Sequence, residues 1–406
     1  MNGMRTVFII SEYNPFHNGH AHQIDEIRRT LRPDTIISIM SGHFVQRGTP
    51  AILDKFSRAR LAIAGGSDLV LELPAIYATS SAEFFAHGGT SIAHCLDPKG
   101  TLSFGSESGD LDQIVTVARL LAEDHGSLDA VIREELAKGL TYPAARAQAI
   151  HHLSQEKDVS SLLSNPNDIL AIEYVRAALN QKLSLNFHTI QRQGMGYHER
   201  QSISKLEHNH PSATALRQSM EENDFDRALL GMPLACQAPF QDLKENLLLD
   251  ETKLKRIIHY RLSLFPDALT NLPEARDGLG IRMAKAADQL NHLSLHNFAL
   301  AVKTRRFTYS RIRRLLLHLA LGFDELDYDD RRRQTPSYTR ILALNEKGQQ
   351  FLANTRKTRE IQVIQSPREV PAKDFKPDLQ AARLYHLLQP SLPANSDFTH
   401  GLRVTT

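Results

Sequence analysis

The hydrophobic positions of the first 110 residues alternate between two patterns. Short apolar runs rich in β-branched residues occupy 6–11, 35–41, 68–74 and 101–107. Such runs are typical of strands that are buried on both faces of a parallel sheet. Amphipathic stretches of helical length lie between them, at 20–31, 53–64 and 81–96. Because strand and helix alternate, the sequence predicts right-handed βαβ units and a doubly wound, parallel α/β sheet.

After residue 110 the pattern becomes mainly helical. Apolar residues at i, i+3 and i+4 mark four stretches, at 111–124, 127–139, 142–153 and 167–181. One more strand is predicted over 185–193, and a helix begins near Ser212. Beyond about residue 225 no βαβ alternation returns. We therefore predict an α/β domain over 1–225 and a mainly α-helical domain over 226–406.

The composition says little about the fold, but it indicates where in the cell the protein is expected. The 406 residues are 41% hydrophobic and 23% charged, which is usual for a globular protein. No run approaches the ~18 apolar residues of a membrane span, and the start lacks a secretory signal pattern. A cytoplasmic protein without a membrane partner is expected. Cys95 and Cys236 are too few for a disulfide framework or a cysteine-rich zinc site, and no metal-ligand set is predicted.

The strongest chemical signal lies where the first predicted strand ends. The segment EYNPFHNGH, residues 12–20, runs from that strand through a tight turn into a helix that begins near Gly19. Ligands of open α/β sheets bind outside the carboxyl ends of the strands, and a helix N-terminus suits phosphate. His17 and His20 are three residues apart, so both could donate to charge developing on an α-phosphorus. The alternative is that these histidines are ordinary capping or surface residues.

A basic run marks the predicted helical domain. Residues 303–314 contain six basic residues and no acidic one, and an apolar stretch follows directly. Phe307 or Tyr309 could stack on an unpaired base. The side chains that could neutralise RNA phosphates are Lys303, Arg305, Arg306, Arg311 and Arg313. The alternative is a solvated charged face.

Longer motifs resemble one family. His-x-Gly-His is the signature of the HIGH nucleotidyltransferase superfamily, and runs spread over most of residues 5–345 resemble the tRNA(Met) cytidine acetate ligases. The runs that carry this resemblance are SEYNPFHNGH, SGHFVQRGTPAILDKFSRARLAI, GSDLVLELP, SSAEFFAHG, FGSE, SNPNDILAIEY, RQGMGYHE, SATALR and KTRRFTYSRIRRLLLHL. The resemblance implies a Rossmann-like HIGH nucleotidyltransferase domain followed by a helical tRNA-binding domain.

The family's reaction has two halves. Acetate attacks the α-phosphate of ATP, which gives acetyl-adenylate and pyrophosphate. The exocyclic amine of the wobble cytidine of elongator tRNA(Met) then takes the acetyl group, which gives N4-acetylcytidine and AMP. The resemblance therefore implies ATP, acetate and elongator tRNA(Met) as partners, with Mg²⁺ accompanying ATP and no DNA partner.

The resemblance also implies the site residues. SATALR, residues 212–217, corresponds to a second phosphate-binding motif that would hold the leaving pyrophosphate. The catalytic residues implied are His17, His20, Thr214 and Arg217. The ATP-binding residues implied are Ile10, Ser11, Glu12, Tyr13, Asn14, Pro15, Phe16, His17, Asn18, Gly19, His20, Ala21, His22, Gln23, Gly105, Asn167, Arg192 and Ser212. His43 and Asp168 depart mildly from the family pattern.

Three further assignments stay open. The segment 41–63 is locally positive through Arg47, Lys55, Arg58 and Arg60, so it could cover the nucleotide or approach tRNA, or it could be a solvated helix face. Asp54 and Lys55 are candidates for the acetate or cytidine pocket. Carboxylates that could hold Mg²⁺, although structural roles are commoner, are Asp68, Glu72 and Glu83.

The alternative functions are of two classes. One is an adenylyltransferase or acetate ligase with a small-molecule or protein-thiol acceptor. The other is a non-enzymatic RNA-binding protein that keeps an old nucleotide fold. The ~180 residues beyond the α/β part and their basic helix favour a macromolecular acceptor. The intact motif residues argue against loss of activity.

Overall fold

The structure is a computed structural model, and it describes residues 4–123, 127–140, 145, 148–150, 162–163, 165–192, 211–248, 250–393 and 395–400. The described chain builds a seven-stranded sheet in the order β7-β6-β1-β2-β5-β8-β9, and β3 pairs with β4 as a separate hairpin. The strands are β1 Thr6–Ser11, β2 Thr35–Ser41, β3 Phe44–Val45, β4 Thr49–Pro50, β5 Leu69–Leu73, β6 Thr101–Ser106, β7 Asn186–Gln191, β8 Tyr338–Leu344 and β9 Gln362–Ile364.

The predicted α/β sheet is confirmed. β7, β6, β1, β2 and β5 are all parallel, and each lies within one or two residues of its predicted bounds. Alternate residues of β1 lie on opposite faces of the sheet: Val7 and Ile9 pack into one apolar core, and Phe8 packs into the other. β1 pairs with β2 on one side and β6 on the other, so the strand order reverses direction between β1 and β6. Open α/β sheets bind ligands at such a switch point.

Helices cover both faces of the sheet. Residues of α1, α2 and α8 pack into the core that contains Val7, whereas residues of α4, α5 and α7 pack into the core that contains Phe8. The helices are α1 Asn18–Leu31, α2 Lys55–Ala64, α3 Ala75–Ala78, α4 Ala82–Leu96, α5 Leu111–Glu123, α6 Ser127–Ala137, α7 Pro166–Asn180 and α8 Ala213–Glu221. The predicted helix over 142–153 lies largely outside the described residues.

The remainder of the chain is mainly helical, as predicted. Residues of α11, α13, α14 and α17 extend the core that contains Phe8. The helices are α9 Phe225–Leu230, α10 Leu234–Gln241, α11 Thr252–Leu264, α12 Leu279–Ala286, α13 Leu295–Val302, α14 Tyr309–Leu321, α15 Tyr328–Arg331, α16 Glu346–Asn354, α17 Ala372–Leu388 and α18 Ser396–Thr399. Short 3₁₀ helices connect them. In the described part of the chain, no helix combines the length and apolar character needed to cross a membrane.

Two strands of the sheet were not indicated by the sequence pattern. β8 pairs antiparallel with β5, and β9 pairs parallel with β8, so residues from beyond 225 complete the sheet. All seven residues of β8 are buried. The expectation that sheet-forming segments end near residue 225 is therefore wrong, while the functional division at that point stays a prediction.

Candidate active site

The turn between β1 and α1 fixes both motif histidines through the helix N-terminus. His17 is the N-cap of α1: its Nδ1 accepts a hydrogen bond from Gly19 N at 3.0 Å, and His20 Nδ1 accepts from His17 N at 3.2 Å. The two rings stack with their centroids 3.7 Å apart. Because each Nδ1 is an acceptor, the hydrogen of a neutral ring lies on Nε2. The alternative interpretation, that the histidines cap the helix, is thus correct for the Nδ1 atoms. The Nε2 atoms carry the ring hydrogens and are donors.

The surroundings of His20 keep its ring neutral. The ring packs edge-on against Tyr13, at 4.8 Å between centroids, and against Phe16 at 5.4 Å. Burial lowers the pKa of His20 well below its usual value, and the nearby His17 and Arg192 lower it further. A neutral imidazole beside a helix N-terminus donates one hydrogen bond from a defined nitrogen, which suits a phosphate oxygen.

The second predicted motif lies against the first. Ser212 is the N-cap of α8 and accepts from Ala215 N. Arg217 Nη1 donates to the carbonyl of Asn14 at 2.7 Å, and its Nη2 donates to Thr214 Oγ1 at 3.0 Å. Asn18 also donates, through its backbone N, to the carbonyl of Gly231 at 2.9 Å. Residues about 200 positions apart in sequence therefore form one rim beside the N-terminus of α1.

Three predicted ATP contacts meet at the carboxyl end of β6. Arg192 Nη1 donates to Asn167 Oδ1 at 3.4 Å, and Asn167 Nδ2 donates to Glu107 Oε1 at 2.6 Å. At Gly105 a Cβ would lie 3.3 Å from Cγ of Arg192, so the Arg192 side chain lies directly over this glycine. The lack of a side chain at Gly105 thus makes room for Arg192, which directly follows β7.

The predicted nucleotide turn divides into buried and accessible residues. Tyr13 and Phe16 are 1% and 0% exposed and belong to the core, so only their backbone could meet a ligand. Asn14 is also buried, and its Oδ1 accepts from Ile52 N. The partly exposed members of the predicted set are Ile10, Glu12, Asn18, Gly19, His20, Ala21, His22 and Gln23. Gln23 donates to the carbonyl of Ser103, which ties α1 to β6.

The basic segment 41–63 is mostly internal. Arg58 is wholly buried and donates to the carbonyls of Glu12, Ser41, Gly42 and Leu53. This single guanidinium joins the carboxyl ends of β1 and β2. Burial lowers its pKa, although the group stays cationic. The alternative interpretation, a solvated helix face, is wrong for Arg58. This side chain lies inside the protein and supports the turn after β1 through its hydrogen bonds.

The acetate and metal candidates have structural partners. Lys55 is fully buried and pairs with Glu72 at 2.8 Å and with Asp397 at 2.6 Å, while Asp54 is the N-cap of α2. Asp68 pairs with Arg28 and accepts from Ile36 N, and Glu83 lies at the surface. Within the described ranges, no three His, Cys, Asp or Glu side chains converge as a metal site.

The residues predicted to meet tRNA differ in accessibility. Lys303, Arg305 and Arg306 are exposed; Arg306 forms a surface pair with Asp277 at 3.2 Å. Arg311 is mostly buried and donates to the carbonyls of Glu274 and Arg276. Arg313 is 2% exposed and paired with Glu251, and Phe307 is 7% exposed. A phosphate contact by Arg313 and base stacking by Phe307 are therefore incompatible with this structure, because both side chains pack inward.

Two residues outside the predicted site set support it. Glu107, the last residue of the FGSE run, accepts from Asn167 Nδ2, and its other oxygen accepts from Asp168 N at the start of α7. In the sequence, Arg58 stands out only as a positive charge. The contacts of Arg58 with Glu12 and of Glu107 with Asn167 join residues far apart along the chain, so spacing alone does not predict them.

Comparison with known proteins extends these observations to the whole chain. The HIGH Nucleotidyl Transferase family model matches residues 4–398. The tRNA(Met) cytidine acetate ligase of Clostridium tetani is 35% identical over 404 residues, covering 97% of this chain and 98% of that protein. The ligase of the same name from Thermosipho melanesiensis is 36% identical over 372 residues, covering 90% and 85%.

Solved structures show the same likeness in three dimensions. The apo crystal structure of Thermotoga maritima TmcAL has a TM-score of 0.88 at 29% identity, covering 99% of this chain and all of that one. The structure of TmcAL bound with alpha-thio ATP has a TM-score of 0.85 at 30% identity with the same coverage. The similarity thus includes the sheet, the β1–α1 turn and the helical part together.

Proposed function

Because the chain belongs to the tRNA(Met) cytidine acetate ligase family, within the HIGH nucleotidyl transferases, we propose that it joins acetate to the wobble cytidine of elongator tRNA(Met) at the expense of ATP. The observation that carries the proposal is the convergence of the two motifs: Arg217 reaches the carbonyl of Asn14 beside the His17–His20 pair. The TmcAL structure with alpha-thio ATP supports nucleotide binding by this fold.

In the first half-reaction ATP would lie at the switch point between β1 and β6. A carboxylate oxygen of acetate forms a bond to the α-phosphorus, and the bond from that phosphorus to the bridging oxygen of pyrophosphate breaks. Nε2–H of His17 and of His20 would donate to the α-phosphate oxygens as charge develops on them. Both rings are held by backbone N–H groups at Nδ1, so the donors are oriented before ATP arrives.

The leaving pyrophosphate would lie between the N-termini of α1 and α8. Thr214 and Arg217 present a hydroxyl and a guanidinium there, and the guanidinium is already oriented by two hydrogen bonds. Ser212, as N-cap, orients the first turn of α8. Mg²⁺ would enter with ATP as part of the substrate, held by phosphates and water, since the nearby carboxylates have partners of their own.

The nucleotide base and ribose would meet the β6 side of the crevice. Asn167 keeps its amide oriented between Glu107 and Arg192, so it could exchange one of these bonds for one to the nucleoside. Arg192, which lies over Gly105, would offset phosphate charge. This arrangement accounts for the ATP-binding role proposed for Gly105, Asn167 and Arg192.

In the second half-reaction the cytidine amine attacks the acetyl carbonyl carbon, and the bond from that carbon to the AMP oxygen breaks. The acceptor would approach from the side of the helical part, residues 226–406. Lys303, Arg305 and Arg306 are the accessible cations of the predicted set. We propose this part as the tRNA-binding region and residues 1–225, completed by β8 and β9, as the catalytic one.

Nucleoside mass spectrometry tests the proposed reaction. Elongator tRNA(Met) would be incubated with the protein, ATP and isotope-labelled acetate, and a parallel sample would contain labelled acetyl-CoA instead of acetate and ATP. We expect labelled N4-acetylcytidine in the acetate sample only. Acetate-dependent pyrophosphate release without a labelled nucleoside would move the acceptor to a small molecule or a protein thiol. Labelled nucleoside from acetyl-CoA alone would contradict the proposal.

A further inference from the structure

The helical part contains an open apolar groove that the proposed mechanism does not use. It lies between α11, α14 and α17 and has a volume of about 540 Å³. Ile257, Leu321 and Leu384 form its floor, and Leu321 and Leu384 are buried. Tyr260 and Leu387 form its edges and are 55% and 59% exposed. We call this feature the helical groove.

The helical groove is positively charged. Its lining in the described chain includes Arg256 and Arg383 and no acidic residue. Both arginines are exposed, and neither forms an ion pair with a carboxylate of the part of the chain that the structure describes. Arg261, about one turn after Arg256 on the same helix, instead pairs with Asp324 at 2.7 Å. Arg256 also interacts electrostatically with Asp250, beyond the groove. Two exposed cations beside an exposed aromatic ring match a phosphate backbone with an unstacked base.

The groove is connected to the rim of the candidate active site. Tyr385, the residue after Leu384, donates its hydroxyl hydrogen bond to the carbonyl of Ala51 at 2.9 Å. The next residue, Ile52, donates its N–H to Asn14 Oδ1 at 2.8 Å in the β1–α1 turn. These two hydrogen bonds tie α17, which lines the groove, to the β1–α1 turn that carries His17.

We propose that the helical groove binds an unpaired nucleobase of the RNA acceptor, with the base stacked on Tyr260 and the flanking phosphates bound by Arg256 and Arg383. This inference rests on the proposed function and adds to it a second anchoring point for the RNA. Tyr260 is held for stacking by an edge contact with Phe265, at 5.8 Å between ring centroids.

The test measures tRNA affinity together with acetate-dependent exchange of pyrophosphate into ATP. In Tyr260→Ala, tRNA(Met) should bind about tenfold more weakly, because one stacked base is lost, and exchange should be unchanged. Tyr260→Phe keeps the stacking ring and should bind as the wild type does. Wild-type affinity in Tyr260→Ala would overturn the proposal.

The two arginines are tested by salt dependence. In Arg256→Ala combined with Arg383→Ala, the slope of log affinity against log salt should become shallower by about 1.4, as expected for two lost single-strand phosphate contacts. The matched control is Arg356→Ala combined with Lys357→Ala, which removes two exposed cations outside the groove and should leave the slope unchanged. Equal slopes in the two double variants would contradict the proposal.

A further arm separates this inference from the proposed function. Binding of a short single-stranded RNA is measured for the wild type and Tyr260→Ala, independently of acetylation. If the wild type fails to acetylate tRNA(Met) but oligonucleotide binding depends on Tyr260, the groove stands and the proposed acceptor fails. If acetylation proceeds and neither RNA responds to Tyr260, the groove proposal alone fails. Dimerisation of the wild type that Tyr260→Ala abolishes would instead make the groove a protein contact and overturn the RNA assignment.

Discussion

At the scale of single residues, the candidate site depends on how each histidine ring is oriented. His17 and His20 both accept backbone N–H groups at Nδ1, so the hydrogen of each neutral ring lies on Nε2. The two rings stack on each other, which adds to their fixed orientation. Preorganised donors of this kind contribute to catalysis because they need no reorientation when charge develops.

Replacement of His20 tests this role. In His20→Ala, acetate-dependent exchange of pyrophosphate into ATP should slow by about 100- to 1,000-fold, the usual cost of losing one transition-state donor. The matched control is His292→Ala, which removes an exposed histidine of the helical part and should leave exchange unchanged. An unaffected His20→Ala variant would remove the ring from the mechanism.

The buried ring of His43 should make the free energy of unfolding depend on pH. Its ring stacks on Tyr385, at 4.6 Å between centroids, and both of its nitrogens are buried without a hydrogen-bond partner among the described residues. Burial lowers the pKa of His43 well below its usual value. The charged groups that also act on it are, from the largest effect, Lys55, Asp397, Arg58 and Arg340.

The sign of the pH effect follows from proton binding. Below about pH 6.5 the unfolded chain protonates this histidine while the folded chain does not, so stability falls as pH decreases. As the pH decreases from 6.5 to 5, the free energy of unfolding should fall less steeply in His43→Phe than in the wild type. The two slopes should differ by about 1 kcal/mol per pH unit. Urea denaturation at several pH values measures this. Identical slopes for variant and wild type would contradict the buried, neutral ring.

The residues that sequence could predict are those whose partners are close in sequence. His17, Gly19 and His20 share one helical turn, so their spacing was sufficient to place them together. Arg58 meets Glu12 across 46 residues, and Glu107 meets Asn167 across 60. Their roles depend on how the strands are ordered, which no local pattern contains. The basic run 303–314 does not indicate that Arg313 packs inward. Its side chain forms an ion pair with Glu251, a partner that is distant in sequence.

At the scale of elements, the β3–β4 hairpin connects the nucleotide turn with the helical part. Gln46 N donates to Glu12 Oε1 at 2.8 Å. Gly48, in the hairpin turn, has φ +74°, and a Cβ there would lie 2.4 Å from the backbone N of Arg314 on α14. The hairpin therefore packs directly on a helix backbone and also contacts Glu12 of the β1–α1 turn.

Gly48→Ala tests this contact. A methyl group must displace α14 in addition to straining the backbone, so the free energy of unfolding should fall by about 2–4 kcal/mol. Gly139→Ala is the matched control, because Gly139 also has positive φ, +91°, but a Cβ there meets nothing within 4 Å. It should cost only about 1 kcal/mol. Equal losses in the two variants would mean that the hairpin does not press on α14.

The strands illustrate what local pattern can predict about elements. Four of the five parallel strands, β1, β2, β5 and β6, are predicted nearly residue by residue, because buried parallel strands are largely apolar runs. β7 is also predicted, although it lies at the edge of the sheet and none of its residues is buried. β8 and β9 were missed because they lie among charged helical stretches, and β9 has only three residues. The pairing of β8 with β5 joins residues about 270 positions apart, as in Glu72 with Arg340.

At the scale of the whole molecule, the two ends of the chain form one unit. Asp397, in α18, pairs with Lys55 and Arg340, which lie in α2 and β8. His400 stacks on Phe56 at 3.8 Å. The C-terminal segment thus packs against α2 and β8, on the side of the sheet where β8 and β9 lie. Residues of the helical part and of the sheet also share one apolar core.

A division of labour between the half-reactions is expected. In Arg305→Ala combined with Arg306→Ala, pyrophosphate exchange should keep its rate. The slope of log tRNA affinity against log salt should become shallower by about 1.4, as for two lost phosphate contacts. Lys303 provides an independent third cation for the same test. Equal losses in exchange and in tRNA affinity would contradict the proposed division.

The most direct test of the account follows the oxygen of acetate. Acetate labelled with heavy oxygen in its carboxylate would be incubated with the protein, ATP and tRNA(Met), and the AMP produced would be analysed by mass spectrometry. Attack of acetate on the α-phosphorus predicts AMP that carries one labelled oxygen for each acetyl group transferred. Unlabelled AMP, or ADP as the product, would show that acetate never bonds to the α-phosphorus and would contradict the mechanism built on His17, His20 and Arg217.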